Sequence, residues 1–459
     1  MTLRARLFAF WMKKRPRNLS AMKVIAIAFA AIILLGAALL TLPAASRSGV
    51  SCGFLPALFT ATSATCVTGL TLFDTYTQWS GFGQVVIISL IQIGGLGFMS
   101  AGTLFVFLLR KRIGLKQRLV MAQSLSVSDV DGIEELQKTV LKGSFAIEGI
   151  GALILFLWFL PEFGFEKALK WGIFHSISAF CNAGFDIFGC ITPGSSLMEF
   201  QSEPVVLLTL STLVILGGLG FLVWQDVAAN RSFRKCSVYT RLVLVTTCGL
   251  LLLGWAVICL LEWNNPGTLG PMSLGEKLLN GLFQSVTLRT AGFVAVDQAL
   301  LTDSGKAASM VLMLIGGSSG STAGGLKTVT FVVLVLFMAA RARGRSTVCV
   351  YKRTIPQSQV LDAMTIAFVM MALAAFGGIF ISATCSVSLV DALYEAVSAI
   401  ATVGLTACVT GNLTVPGQLL IILYMYFGRV GVLTISMGFL AGDRAEERFR
   451  YAYTNLLIG

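Results

Sequence analysis

Four triplets in this chain could do chemistry with their backbones. Val67-Thr68-Gly69, Asn182-Ala183-Gly184, Thr290-Ala291-Gly292 and Thr402-Val403-Gly404 each close a small, polar stretch with glycine. Glycine at a loop apex permits dihedrals closed to other residues and can turn carbonyls toward a common axis. Four such loops around one axis would supply rings of carbonyl oxygens. Those rings could replace the hydration shell of a monovalent cation without burying a formal negative charge. A half-length helix before each loop would aim the partial negative charge of its C-terminal end at the same point.

The elements that must position these triplets also repeat. The copies read Phe59-TATSATCVT-Gly69, Phe174-HSISAFCNA-Gly184, Phe283-QSVTLRTA-Gly292 and Tyr394-EAVSAIATV-Gly404, the third one residue shorter than the others. A bulky apolar residue follows each glycine: Leu70, Phe185, Phe293 and Leu405. Each copy is too short and polar to cross a bilayer, and long apolar stretches flank it. The spacing predicts spans near 21–43, 82–109, 139–161, 203–226, 239–263, 307–339, 358–384 and 417–441. The expected fold is therefore all-α and integral to the membrane. It has four repeats of span, pore helix with re-entrant loop, and span, giving eight transmembrane helices and four pore loops around one central pore. The repeats are expected at 21–118, 119–235, 236–345 and 346–443, between an N-terminal segment 1–20 and a tail 444–459.

Composition agrees with a bilayer as the solvent. Of 459 residues, 56% are hydrophobic and only 12% charged, against about 25% charged in a soluble protein. Lys and Arg cluster at 4–17, 110–118, 231–241, 341–353 and 444–450. Clusters flanking apolar spans mark the cytoplasmic side, which puts both termini inside and the four loops outside. No basic cluster lies in a foldable soluble domain, so a nucleic acid partner is not expected. The first apolar segment is too long for a signal-peptide core and reads as a span. The ten cysteines show no metal-like or disulfide-like spacing, and those in apolar runs read as small hydrophobes.

The second span of each unit carries a glycine pattern: I-G-G-L-G-F at 93–98, L-G-G-L-G-F at 216–221, I-G-G-S-S-G-S-T-A-G-G at 315–325 and F-G-R-V-G-V at 427–432. The first two copies read as close helix packing. The third holds too much glycine and serine for a lipid-facing helix and reads as a flexible loop below the triplets. A nucleotide P-loop is excluded there, because Leu326 separates Gly325 from Lys327. In the fourth copy Arg429 replaces a glycine. An arginine at membrane depth usually faces an aqueous cavity, where it would raise the barrier to a passing cation.

The A-T-V-G-L around Gly404 is close to the T-V-G-Y-G loop of potassium channels. With the four repeats, the chain resembles the Trk/Ktr/HKT superfamily of potassium transporters along essentially its whole length. Having one span before its first loop, it is most like the bacterial KtrB membrane subunit. The resemblance implies potassium uptake across the bacterial cytoplasmic membrane through a channel-like pore. It identifies Gly69, Gly184, Gly292 and Gly404 as filter glycines. In plant members serine at the first position goes with sodium preference, so Gly69 favours potassium. It also identifies Gly316, Gly317, Gly320, Gly324, Gly325 and Lys327 with an intramembrane gating loop and Arg429 with its conserved arginine. A homodimer and a separate cytosolic KtrA-type nucleotide-binding ring are implied as partners, the ring meeting the basic segments 231–241 and 341–353 and the tail 450–459 aiding dimerisation. No cofactor is expected in this chain, with K+ as cargo and Na+ as an alternative coupling or activating ion.

No catalytic set surrounds the single histidine, His175, and no paired carboxylates share a site, so an enzyme is not expected. His175 reads as a hydrogen-bonded packing residue. Asp74, Asp186 and Asp297 read as mouth residues with a modest field effect, and Glu148 and Glu395 as braces. The alternative function is a sodium- or proton-coupled symporter with alternating access, a class built from inverted repeats; here the repeats share one orientation.

Overall fold

The computed structural model describes residues 21–97 and 133–431. Residues 1–20, the span end and basic segment at 98–118 with the stretch to 132, the end of the last expected span and the tail 444–459 lie outside the described residues.

The expected spans take two forms. The first span of each unit is a long helix: α1 (Ala21–Thr41), α4 (Ile133–Phe180), α7 (Val238–Glu262) and α11 (Gln357–Cys385). Among the described residues these four are long and apolar enough to cross a membrane. They present large apolar side chains outward, with Leu260 80% and Phe368 70% exposed. Apolar exposure on that scale marks a lipid-facing surface rather than a wet one. The chain is a multi-pass membrane protein.

The pore helices are the opposite. These are α2 (Phe54–Cys66), α8 (Leu274–Thr287), α12 (Leu389–Ile400) and the last leg of α4, after the chain turns at Gly164 with φ 75°. Tyr394 to Ile400 is buried without interruption despite its serine and glutamate. Polar residues inside a membrane protein are tolerated when other protein surrounds them. Ser273 and Glu276 form a capping box on α8, and Ser388 caps α12 by accepting from the Asp391 amide.

Two of the second spans are broken, and in the other two the described helix ends at a glycine. In repeat 1, α3 (Gly81–Leu96) ends at Gly97; in repeat 2, α5 (Pro204–Leu219) meets α6 (Phe221–Asn230) across Gly220 with a 92° bend. In repeat 3, α9 (Asp303–Leu314) and α10 (Thr328–Ala342) flank the glycine-serine segment, and in repeat 4, α13 (Val415–Val430) ends at Gly431. The continuous span expected at 203–226 is thus corrected to a helix pair, while the span at 307–339 is interrupted at the glycine-serine segment, where the sequence places a loop. The glycine pattern does two jobs rather than packing alone. Its first glycine touches the pore-helix end: a Cβ on Gly94, Gly217 or Gly428 would lie 1.9, 1.9 or 2.3 Å from the carbonyl oxygen of Thr65, Phe180 or Ile400. Its last glycine, Gly97, Gly220 or Gly431, takes φ of 84°, 94° and 94°, a left-handed conformation that ends a helix. A short hairpin, β1 (Cys349–Val350) with β2 (Arg353–Thr354), joins α10 to α11.

Candidate functional site: a four-loop carbonyl ring and the loop beneath it

The C-terminal ends of the four pore helices converge. Each helix is followed by a residue in the left-handed region, Val67, Asn182, Thr290 and Thr402 with φ of 56°, 58°, 66° and 52°. Two residues later each glycine is left-handed again, Gly69, Gly184, Gly292 and Gly404 with φ of 96°, 68°, 82° and 96°. The repeated conformation makes the four triplets local equivalents.

They are also neighbours in a closed ring. A Cβ built on Gly69 would lie 2.6 Å from the Ala183 carbonyl oxygen, and one on Gly184 2.7 Å from that of Ala291. One on Gly292 would lie 2.6 Å from the Val403 oxygen, and one on Gly404 2.1 Å from the Thr68 oxygen. Each glycine therefore abuts the carbonyl of the residue before the next glycine, once around. No other residue type fits at that separation.

Hydroxyls of the pore helices brace the ring. Ser63 and Ser398 accept from the amides of Gly69 and Gly404 at 3.1 Å each, while Ser178 and Thr287 donate to the carbonyls of Phe185 and Phe293 at 2.6 and 2.7 Å. In three repeats the middle residue of the triplet donates to a carbonyl five residues back: Thr68 to Ser63, Ala183 to Ser178, Val403 to Ser398, all at 2.8 Å. Ala291 instead reaches four residues back, to Thr287 at 3.0 Å. The residue missing from the third copy comes out of this turn, and the ring still closes.

The segment between α9 and α10 packs below the ring. Its neck is tied by Gly316 N–H to Leu326 C=O (3.0 Å), Leu326 N–H to Leu314 C=O (3.0 Å) and Thr328 N–H to Gly317 C=O (3.0 Å). Its body uses carbonyls freed where α5 ends, as helix ends require partners: Ser318 N–H donates to Gly218 C=O (3.0 Å) and Thr322 N–H to Gly217 C=O (3.2 Å). Phe221 N–H donates back to Gly320 C=O at 2.9 Å, and the Tyr239 hydroxyl to Ser319 C=O at 3.0 Å. The Thr322 hydroxyl sits 3.1 Å from Phe180 C=O and 3.2 Å from Asn182 Oδ1, just below the second triplet. Gly324 lies against Thr402, whose hydroxyl a Cβ there would meet at 1.9 Å. Gly316 and Gly317 pack across the neck on Gly324 and Ala323, and Gly320 and Gly325 turn with φ of 68° and 66°. Lys327 caps its own loop by donating to Ala323 C=O at 2.7 Å. Against the expectation of a flexible loop, in this conformation the neck and body of the segment are held by named hydrogen bonds.

Two arginines hold that loop from different repeats. Arg429 donates to Thr322 C=O and to the carbonyls of Gly94 and Gly95 at the end of α3, the latter at 3.1 Å. Arg289, on the turn after α8, donates to Gly316 C=O at 2.9 Å, the Thr328 hydroxyl at 3.3 Å and Thr247 C=O at 3.4 Å. Arg289 was not singled out from the sequence. Its signal was a charge at membrane depth in the one pore helix with altered spacing. The Asn182 side chain, reaching the loop from the second triplet, was likewise not anticipated.

The remaining candidates are structural. His175 Nε2 accepts from Ile187 N–H (3.1 Å), so Nδ1 donates to Trp171 C=O (2.8 Å), and the ring stacks on Phe188 at 3.8 Å. That is a neutral packing imidazole. Asp74 caps a turn through Thr77 N–H (2.8 Å) and holds Gly194 N–H (3.1 Å); Asp186 and Asp297 accept from Phe188 and Ala299 amides. Glu148 is bridged by the Gln92 amide at 3.0 Å to both oxygens, and Glu395 accepts from the hydroxyls of Thr406 and Thr410. Among the described residues no group of His, Cys, Asp and Glu could hold a metal ion.

Known proteins resemble this chain. Potassium/sodium uptake protein NtpJ of Enterococcus hirae is 41% identical, the match covering 98% of this chain and 99% of that protein. Ktr system potassium uptake protein B of Bacillus subtilis is 37% identical over 98% of each. The crystal structure of the potassium transporter TrkH from Vibrio parahaemolyticus superposes with a TM-score of 0.71 at 17% identity, covering 92% of this chain and 86% of that one. That likeness speaks for the fold. The TrkH family model, described as cation transport protein, matches residues 4–446, and the chain belongs to that family.

Proposed function

We propose that this chain takes up potassium through a channel-like pore, with the four triplets as its selectivity filter and residues 315–328 as its gate. The observation that carries the reading is the closed ring in which each triplet glycine abuts the next repeat's carbonyl. Around a dehydrated K+ the carbonyls of Thr68, Ala183, Ala291 and Val403 act as ligands, and the pore-helix ends add their partial negative charge. The middle and first residues of the triplets extend the cage along the axis.

Gating follows from what lies below. The loop sits under the second and fourth triplets, and Arg429 adds positive charge in the path's lower half, where a cation pays most for it. Opening is a movement of the 317–325 body away from Gly217, Gly218 and Arg429, with the neck and Arg289 as the fixed end. A KtrA-type nucleotide-binding ring drives that movement from the cytosol, and the functional unit is a homodimer with one pore per subunit. Arg241 stacks over the Tyr351 ring at 4.7 Å, which joins the basic segments 231–241 and 341–353 into one docking face for that ring.

The Enterococcus hirae relative is named a potassium/sodium uptake protein, which supports Na+ as a second cargo or coupling ion. The test is ion uptake by an uptake-deficient bacterial strain expressing the chain alone, with a KtrA-type partner, and as Gly69→Ser. Restored potassium uptake, with weaker discrimination against sodium in the variant, is the expected result. No flux despite membrane insertion overturns the channel reading in favour of a coupled transporter with another substrate.

A further inference from the structure

The face on which the pore helices begin carries five described cationic side chains: Arg47, Lys167, Lys170, Lys277 and Lys306. Three are accounted for. Lys306 pairs with Asp391 and Lys170 with Glu166, each at 2.7 Å, and Lys277 donates to Trp263 C=O at 3.0 Å while lying over its ring. Arg47 and Lys167 have no carboxylate partner among the described residues, although they come from different repeats. Both line one groove of about 280 Å³ and lie within electrostatic reach of Cys190 on its wall. With Lys170 and Glu166 at its edge, the groove carries a net charge of +2.

Its walls are those of a membrane boundary. Tyr76, on which the Arg47 guanidinium stacks at 4.0 Å, and Trp171 line it, the aromatic types that sit at headgroup level. The sequence neighbours of its lining residues are apolar and open: Phe82, Val85 and Phe165 are 45%, 61% and 65% exposed. Asp74 also lies within electrostatic reach of Cys190, but its carboxylate is taken by the amides of Thr77 and Gly194, so the side chains that line the groove leave it net positive. With its net positive charge and exposed apolar neighbours, the groove suits an anion attached to a hydrocarbon chain.

We infer that this groove binds the phosphate of an anionic phospholipid, with Arg47 and Lys167 on the phosphate and the acyl chains along Phe82, Val85 and Phe165. The lipid would fasten repeat 1 to the bent α4 of repeat 2 at the rim, where the helices themselves leave a gap.

The test uses the full chain in detergent micelles, titrated with phosphatidylglycerol or phosphatidylcholine. Bound lipid is counted by native mass spectrometry and thermal unfolding is followed in parallel. Phosphatidylglycerol is expected to stay bound and raise the melting temperature, with phosphatidylcholine weaker. Arg47→Gln with Lys167→Gln is expected to weaken phosphatidylglycerol binding about tenfold to thirtyfold, because each substitution removes one cationic attraction to the anionic headgroup. Arg47→Lys with Lys167→Arg is expected to restore it. Undiminished binding in the Gln double variant overturns the inference. So does equal stabilisation by inorganic phosphate, which would mark a free-anion site. A change from dimer to monomer in the Gln variant without any change in lipid binding would assign the groove to a second copy and also overturn it.

Discussion

The carbonyl ring and the loop beneath it are built from similar residues and held in opposite ways. Each ring segment is braced by its own repeat: a pore-helix serine or threonine, a backbone bond back into the same helix, and a glycine wedged against its neighbour. Nothing in the ring rests on a long side chain. The loop depends on donors and acceptors from other repeats, Arg429 from repeat 4 and the freed carbonyls of Gly217 and Gly218 from repeat 2, as well as on Tyr239 from the start of α7 in its own repeat. Interlocked backbone is hard to move by parts. A loop tied by side-chain to carbonyl bonds, each with a net worth of about 1.5–3 kcal/mol when the donor is charged, can be released a few bonds at a time. On the gating proposed above, the molecule thus separates the part that stays fixed from the part that moves.

The largest effect that would break this contrast is expected in the ring. Gly404→Ala places a Cβ 2.1 Å from Thr68 O at a φ of 96°. Left-handed strain alone costs about 1–3 kcal/mol, and with the clash potassium flux should fall at least about a hundredfold. Rubidium uptake into vesicles measures it. Flux within a factor of two of wild type would show that the ring yields after all. Next comes Arg429→Ala, which removes the loop's tie to α3 and its positive charge. Flux without a regulatory partner should rise about tenfold, the equivalent of one charged hydrogen bond; unchanged flux in liposomes would remove Arg429 from the gate. Arg289→Gln should act on stability more than on flux, because it anchors the neck. Leaving Gly316 C=O short of its donor costs about 1–3 kcal/mol, which lowers the melting temperature by a few degrees for a chain of this size. A flux gain as large as that of Arg429→Ala would mean the neck moves too. The smallest effect is expected for Ser63→Ala, one neutral hydrogen bond of about 1 kcal/mol. Potassium-to-sodium selectivity, read from competition uptake, should shift by less than about tenfold and flux hardly at all.

Much of this arrangement could be read from residue order. The four glycines, their spacing and the shorter third copy are local features, and local features survive in a linear string. Gly316 to Gly325 announced a break because so dense a run of glycine cannot remain helical in lipid. The doublets before Gly97 and Gly220 were harder. Glycine that packs against a neighbour and glycine that ends a helix have the same letter, and only the φ of 84° and 94° separates them. Arg289 escaped notice for a related reason: its partners, Thr247, Gly316 and Thr328, lie 27–42 residues away, and backbone carbonyls leave no mark in composition. Arg429 stood out because it interrupts a pattern, whereas Arg289 interrupts none.

The shortened turn after α8 has a wider consequence. A pore assembled from four identical chains repeats every substitution in every quadrant, so a residue removed from one loop is removed from all. In a single chain each quadrant changes on its own. Repeat 3 has one residue fewer in its turn, a buried arginine and a loop in place of continuous helix, while the other three share the longer turn and the ring closes. Covalent linkage of the repeats lets one quarter of the ring become machinery while the remaining three stay scaffold.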